Sequence, residues 1–308
     1  MNESFPIPRR KNLLLVTLQL AGLCFILVFT SRAQTGWPLA LLCLAYGLLM
    51  NSAYAMLHEA EHQILHPNRM LNDTAGALLA LFFPAPFHLI RQGHLGHHLR
   101  NRSDDEVFDF YFEEENAFWK HLQFYGVLTG LFYITVAFSC VLGLVCPWIF
   151  QPSKASSFGM DRATESLFAS LNERYLLWIW IESLLACLLH GSLMIYFKIP
   201  MWKYAFVLFG FGGLWSAMQY VHHYGAVRDV LEGAKNLKTF GLLDLLWLNH
   251  NWHLRHHQNP TLPWVYLPLA GDRKEARENL FLAYLKMWKG PEKTTLRVRN
   301  RYDGRIIR

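Results

Sequence analysis

Residues 37–62 read WPLALLCLAYGLLMNSAYAMLHEAEH, an apolar run that ends in two histidines four residues apart. The apolar part, 37–57, is long enough to cross about 30 Å of hydrocarbon, which takes roughly 20 helical residues. Because residues four apart share a helix face, His58 and His62 should point the same way at the end of this helix. The stretch therefore predicts a membrane helix that carries metal ligands at its polar end.

Three further stretches have the spacing of metal ligands, and we call all four histidine boxes. The second box is His94-Leu95-Gly96-His97-His98, the third is His222-His223, and the closing box is His253-Leu254-Arg255-His256-His257. On helices, the longer boxes should each bring two or three imidazole nitrogens to one point. Nine imidazoles exceed the needs of one ion, so the sequence predicts two. The predicted ligands are His58, His62, His94, His97, His98, His223, His253, His256 and His257.

The composition is that of a membrane protein. Of the 308 residues, 53% are hydrophobic and only 17% are charged, which is too apolar for an ordinary soluble domain. We expect an all-α bundle with about four transmembrane helices, plus interfacial or re-entrant helices. The predicted crossings are 12–30, 37–57, 176–197 and 202–220. The predicted re-entrant or interfacial segments are 122–150, for which a helical hairpin giving six crossings is the alternative, and 74–90, which Pro84 and Pro86 interrupt.

The distribution of charge predicts the orientation. The net charge is +6, and basic residues cluster before the first apolar run and in the tail 271–308. By the positive-inside rule, both termini and the boxes should lie on the cytoplasmic side, with a bacterial cytoplasmic membrane favoured. Anionic lipid headgroups account for the basic tail, and the absence of any nucleic-acid recognition motif excludes nucleic acid as a partner. The sequence predicts a single domain, 1–308, with a core at 50–268 that contains the motifs.

The types of residue in the boxes limit which metals the site could bind. Imidazoles without thiolates suit iron, copper or zinc, and iron is favoured if the partner is dioxygen. The five cysteines lack the pair spacing of a thiolate cluster or a disulfide framework. Nearby acids could orient the imidazoles by accepting their second N–H groups. These acids are Glu59, Glu61, Asp104, Asp105 and Asp109.

Two features inside the predicted spans have structural interpretations. Glu182 and His190 lie eight residues apart in one span, and we expect them to pair with each other. Glycines at 210, 212 and 213 could make room for an acyl chain, but close helix packing is the favoured interpretation. His222 and His250 are extra imidazoles that the boxes do not require.

The sequence of the boxes resembles the motifs of the membrane fatty acid desaturase and hydroxylase superfamily. Residues 251–257, NWHLRHH, followed by Asn259-Pro260 and Pro263-Trp264, are similar to the closing box of that family, N-Y-H-L-x-H-H followed by a proline and P-W. Residues 69–73 and Gly76 resemble the stretch between its boxes. Residues 220–225, YVHHYG, resemble the N-Y-x-x-H-Y-G motif of alkane hydroxylases, in which His223 matches the ligand and Gln219 replaces the asparagine.

The resemblance implies a mushroom-like helical bundle with a cytoplasmic cap and a diiron centre held by the nine histidines. It also implies an oxidoreductase that uses dioxygen to attack an unactivated C–H bond of a lipid-like substrate. Fatty acyl desaturation is the first interpretation, and the alternatives are a lipid or alkyl hydroxylase, a ketolase or an alkene-forming decarboxylase. Since the sequence has no haem-type or iron–sulfur segment, electrons should come from a separate donor such as a ferredoxin or cytochrome system.

The first box also permits a rival interpretation. His58-Glu59-Ala60-Glu61-His62 satisfies H-E-x-x-H, in which two histidines bind zinc and the glutamate activates water, as in metalloproteases. That interpretation leaves the second and closing boxes without a role. A metal transporter should place its ligands along several spans, whereas these boxes lie outside them, which disfavours transport.

Overall fold

The computed structural model describes residues 5–154, 162–271, 275 and 277–301, and helices dominate these residues. The long helices are α1 (Arg9–Thr30), α2 (Trp37–Glu61), α3 (Arg69–Phe82), α4 (Phe87–Arg100), α5 (Ala117–Leu128), α6 (Leu131–Val145), α8 (Leu176–Tyr196) and α9 (Met201–Met218). Shorter ones are α7 (Arg162–Ala169), α10 (Gly241–Leu246), α11 (His253–Gln258), α12 (Leu267–Ala270) and α13 (Leu280–Met287). The two-residue strands β1 (Phe110–Tyr111), β2 (Leu237–Lys238), β3 (Glu278–Asn279) and β4 (Glu292–Lys293) pair in parallel as β1 with β4 and β2 with β3. The predicted class, an all-α membrane bundle, is confirmed.

Three of the described helical segments are long and apolar enough to cross a membrane: α1, α2 and Glu173–Tyr196, which contains α8. Two bent helix pairs could each form one broken span, α3 with α4 at 101° and α5 with α6 at 84°. The predicted crossing 202–220 forms α9, which packs along α2 but is not among the three. The described residues thus allow three to five crossings, and the count of four stays a prediction.

The two bends have local causes. Pro84 and Pro86 follow α3 and prevent its continuation, because proline lacks the N–H that a helix interior needs. At the second bend, Gly130 adopts a φ of +99°, which residues with a Cβ rarely adopt. Segment 122–150 is therefore not one straight span. The first bend turns α4 back towards α2, so that the second box meets the first.

Glycines allow the central helices to pack closely. A Cβ on Gly47 would lie 2.6 Å from the Gly210 carbonyl oxygen, and one on Gly210 would collide with the Cys43 carbonyl oxygen. A Cβ on Gly212 would collide with the Tyr133 ring. The prediction that the glycines of α9 serve packing is confirmed for Gly210 and Gly212, whose neighbours leave no room for an acyl chain.

We expect Gly210→Ala to destabilise the protein. The new methyl group would meet backbone atoms of α2, and overpacking of this kind typically costs about 1–3 kcal/mol. The measurement is the thermal midpoint of the purified protein in detergent. Gly191→Ala is the matched control, because a Cβ there meets nothing within 4 Å, and alanine is the better helix former. Equal midpoints for the two variants would contradict this account of the packing.

The described part of the basic tail folds back onto the protein. Strand β4 pairs with β1, and the Val298 N–H donates to an Asp104 carboxylate oxygen at 2.8 Å. Arg297 forms ion pairs with Asp104 and Glu114. Within residues 277–301, part of the positive charge therefore neutralises an acidic loop of the same chain.

The predicted pairing of Glu182 with His190 is wrong. Glu182 Oε1 lies 2.6 Å from His88 Nδ1, and Oε2 accepts the His88 backbone N–H at 3.0 Å. His190 contacts the Tyr204 hydroxyl at 2.6 Å and donates to the Leu81 carbonyl oxygen at 2.8 Å. Eight helical residues span about 12 Å along the axis, which is too far for a direct pair. Each group therefore finds its partner on a neighbouring helix.

Candidate metal centre

The nine predicted ligands lie together and form two groups. Within each group, the nitrogens that could bind an ion all lie within 4.8 Å of one another. The groups are neighbours, since the rings of His98 and His257 are 4.4 Å apart. The first group is His58, His62, His94, His98 and His256, and the second group is His97, His223, His253 and His257.

The boxes do not each serve one point, contrary to the expectation from spacing. In the second box, His94 and His98 join the first group, whereas His97 joins the second. In the closing box, His253 and His257 join the second group, whereas His256 joins the first. At 3.6 residues per turn, residues i and i+4 differ in direction by about 40°, but i+3 and i+4 differ by about 100°. Each of α4 and α11 therefore faces both groups at once.

The distances between nitrogens fit a shared ion. In the first group, Nε2 atoms lie 2.8 Å apart for His62 and His94 and 2.9 Å apart for His98 and His256. With a metal–nitrogen distance of about 2.1 Å, two imidazole nitrogens at right angles around one ion are about 3 Å apart. His58 Nε2 is buried in this group and has no hydrogen-bond partner among the described residues. These atoms form a donor set that an ion would complete.

The second group shows the same spacing. His253 Nε2 lies 3.1 Å from His223 Nε2 and 3.2 Å from His257 Nε2. His223 Nδ1 donates to the Gly233 carbonyl oxygen at 2.8 Å. A proton fixed on Nδ1 leaves the Nε2 lone pair of the neutral ring facing the group, as metal ligation requires.

Burial keeps the histidines outside the membrane helices neutral. The pKa values of His223, His253, His256 and His257 lie well below the ordinary value because burial disfavours the cation, and neighbouring imidazoles lower them further. At neutral pH these rings therefore present lone pairs rather than positive charges.

The sequence prediction missed one carboxylate that orients a ligand. Glu106 Oε1 forms a short hydrogen bond to His97 Nδ1, and Glu106 Oε2 accepts from Arg100 Nε at 3.1 Å. Burial would raise the pKa of Glu106, but the adjacent His97 and Arg100 outweigh it, so the net pKa lies below the ordinary value. A charged Glu106 thus fixes the His97 proton on Nδ1. No helical spacing connects the two residues, because a loop separates Glu106 from α4.

Four of the five acids that the sequence suggested as orienting groups have other partners. Asp109 binds Arg102 and the Tyr220 hydroxyl, Asp104 pairs with Arg228, and Asp105 contacts Asn300. Glu59 accepts the Trp264 backbone N–H, and Glu61 Oε2 is buried without a partner among the residues described. For these acids, contact with an imidazole is not observed and the prediction is wrong.

Glu59 ties the first box to the segment after the closing box. Its Oε2 accepts the Trp264 backbone N–H at 3.1 Å, and the Trp264 indole N–H donates to Asn12 Oδ1 at 3.0 Å. The zinc protease arrangement needs this glutamate to activate a metal-bound water. Here the Glu59 carboxylate instead accepts from Trp264, and His58 and His62 belong to a group of five histidines. The site therefore does not match the zinc protease arrangement.

His222 and His250 belong to neither group, but the His250 ring touches both groups and the His222 ring touches the second. The His250 ring lies 5.0 Å from His58 and 4.9 Å from His253, and the His222 ring lies 4.7 Å from His253. Burial lowers the pKa of His222 to about 3 and that of His250 to about 4. Both rings are therefore neutral neighbours of the candidate ligands at neutral pH.

Comparison with known proteins agrees with this geometry. A search of curated proteins gives no significant match. The family model for fatty acid desaturases matches residues 35–290, which include all nine histidines and the helices that carry them. The match covers most of the 308 residues, so the chain belongs to the fatty acid desaturase family and is an oxidoreductase of the desaturase and hydroxylase type.

Proposed function

We propose that this protein is an oxygen-dependent diiron enzyme of the membrane that removes hydrogen from an unactivated C–H bond of a lipid-like substrate. The observation that carries the proposal is the pair of adjacent, all-imidazole groups, one of five members and one of four. Two adjacent groups of ligands would hold two ions rather than one. Among the candidate reactions we favour fatty acyl desaturation, because the closing box is most similar to that branch of the family.

The donor set supports iron in both groups. Neutral imidazoles without thiolates suit iron, copper or zinc, and of these iron is the metal of non-haem dioxygen chemistry. The five-membered group would hold one ion and the four-membered group the other. Bound iron would supply the redox chemistry that activates dioxygen. The five cysteines are free thiols and none belongs to either group. They would therefore provide no iron–sulfur ligands, and electrons would come from a separate ferredoxin or cytochrome.

The task of the protein is to hold the ligands and to exclude water. All nine histidines lie in the buried interior between α2, α4 and α11 or at its edge, and Glu106 and the Gly233 carbonyl oxygen fix two of the rings. Water exclusion strengthens electrostatic interactions at such a site and protects reactive species from side reactions.

The first hairpin supports a proposal for the side of the membrane on which the histidine groups lie. Asn12, at the start of α1, donates to the Leu65 carbonyl oxygen just after the first box at 2.9 Å, so the two ends lie on the same side. Arg9 and Arg10 begin α1 there. By the positive-inside rule we propose that the histidine groups face the cytoplasm, in a bacterial cytoplasmic membrane.

A hydroxylase is the second candidate. It is favoured by residues 219–225, whose pattern resembles the alkane hydroxylase motif around His223. Ketolases and alkene-forming decarboxylases start from the same hydrogen abstraction, and the fate of the substrate radical separates these outcomes.

Metal analysis of the purified full chain, combined with oxygen uptake, tests the proposal. We expect about two irons per chain, one for each group, and product formation that stops without oxygen. A single zinc with oxygen-independent turnover would overturn the proposal in favour of a zinc hydrolase. Lipid and volatile-product profiling of cells that express the chain then separates the reactions. Loss of two hydrogens indicates desaturation, gain of one oxygen indicates hydroxylation, and a terminal alkene indicates decarboxylation.

A further inference from the structure

Large apolar side chains are exposed on two short helices, α10 and α13, which lie outside the three long apolar segments. Six of these side chains are between 47% and 65% exposed. Large exposed apolar patches mark surfaces that contact a membrane or a partner. The side chains are those of Phe240, Leu242 and Leu245 at α10 and of Phe281, Leu282 and Leu285 in α13.

Helix α10 lies beside the apolar part of α2 rather than beyond its histidines. It packs against α2, and Trp247, which directly follows α10, lines a small cavity together with Asn51 and Tyr54 of α2. Asn51 precedes His58 by seven residues. At a helical rise of about 1.5 Å per residue, this contact lies about 10 Å from His58 towards the middle of the predicted crossing 37–57. The outer face of α10 is therefore at the level of the apolar run of α2.

Helix α13 adjoins the membrane bundle at the end of α9. Its buried residues Ala283 and Met287 pack in one cluster with residues of α5 and with Val221, which lies just after α9. The Trp288 ring stacks on the Tyr125 ring of α5, with the centroids 5.9 Å apart. Helix α5 continues through its bend into α6, which packs on α8 and α9. The outer face of α13 is therefore continuous with the surface of the membrane bundle.

Lysines border both of these apolar faces. Lys238 is exposed before α10, and Lys289 is exposed after α13. Within the described part of the chain neither forms an ion pair, whereas Lys286 of α13 pairs with Glu278 at 2.5 Å. Asp244 is the only acidic residue of the two helices, and it accepts a hydrogen bond from a neighbouring threonine. Apolar faces with lysines at their borders match a leaflet that contains anionic phospholipids.

We propose that α10 and α13 lie in the leaflet nearer the histidine groups, with their outer faces among the acyl chains and with Lys238 and Lys289 at anionic phospholipid headgroups. Burial in lipid accounts for apolar side chains that would be unfavourable in water. The proposal narrows the lipid contact expected of the basic tail 271–308, because Arg297 pairs with Asp104 of the same chain. It goes beyond the proposed function, since it depends on neither the metal nor the reaction.

Photolabelling of the full-length wild-type protein in nanodiscs of phosphatidylcholine and phosphatidylglycerol tests the placement. The probe is a phosphatidylglycerol with a diazirine in its acyl chain near the glycerol, and mass spectrometry maps the labelled peptides. We expect labels on 240–245 and 281–288 and on Leu177, which is exposed near the start of α8. Val227 and Leu296 are also exposed but lie beside Arg228, which pairs with an acidic loop, and they should stay unlabelled. Labelling of Leu177 without labelling of either short helix, or equal labelling of Val227 and Leu296, would overturn the proposal.

Lysine variants test the class of lipid. The yield of label on 281–288 from the phosphatidylglycerol probe is divided by the yield from the matched phosphatidylcholine probe. One lysine near an anionic surface changes affinity roughly fivefold, so we expect a ratio of about five or more in the wild type and near one in Lys238→Gln combined with Lys289→Gln. Lys293→Gln is the matched control, because Lys293 pairs with Glu113, and it should keep the wild-type ratio. A ratio near one in the wild type, or an equal fall in the control, would overturn the assignment to anionic lipid.

Discussion

Replacing His256 by alanine should reduce turnover to the background level and remove the proposed iron from the first group. His256 is the one histidine that α11 contributes to this group, and its Nε2 lies 2.9 Å from His98 Nε2. Without it the ion would lose the ligand that links α11 to α4, and an alanine cannot replace a nitrogen donor. Iron content, turnover and membrane insertion are measured on the same preparation, and insertion should be unchanged.

His121→Ala is the control for this experiment. His121 is a partly buried histidine whose Nδ1 donates to the Ala117 carbonyl oxygen of its own helix, and it belongs to neither group. It should keep its iron and turnover. If His256→Ala keeps its full iron and activity, or if the control loses as much as the variant, the ligand assignment is wrong.

Glu106→Gln should lower metal affinity or turnover by about 10- to 100-fold, the usual range for a group that orients a metal ligand. The amide keeps the shape of the side chain but removes the charge that holds the His97 proton on Nδ1 and pairs with Arg100. Metal affinity is measured by competition with a chelator, and turnover is measured at saturating iron. Added iron should restore part of the activity, because all nine imidazoles remain.

Asp105→Asn provides the comparison for Glu106→Gln. Asp105 is adjacent in sequence and is also a carboxylate, but it contacts Asn300 rather than an imidazole. Its replacement should leave metal affinity nearly unchanged. Equal losses in the two variants would mean that the general negative charge of this loop, rather than the contact with His97, supports the centre.

The sequence predicts the composition of the candidate site better than its arrangement. Ligand spacing is a local property, so all nine histidines could be identified from their boxes, and the structure brings them together. Their division into two groups depends on how α4 and α11 face each other, which no single box contains. Glu106 was missed for a similar reason, since its contact with His97 depends on the path of the loop after α4.

The same distinction applies to the fold. Hydropathy identifies α1, α2 and α8, because crossing a membrane requires a long apolar run. Bends and buried polar pairs depend on neighbours, and here single-sequence reasoning did less well. The prolines and Gly130 marked where helices break but not the angles of 101° and 84°. An acid inside an apolar span indicates a buried partner, but the partner of Glu182, His88, lies on another helix and far away in sequence.

Because α4 and α11 each contribute histidines to both groups, two ions bound there would depend on each other mechanically. An ion in either group would contact histidines of both helices, so each bound metal would act as a reversible crosslink between α4 and α11, which has only six residues. The first ion to arrive would align both helices and so preorganise the vacant set for the second. Partial loading is then the disfavoured state, and the enzyme would tend to hold both metals or neither.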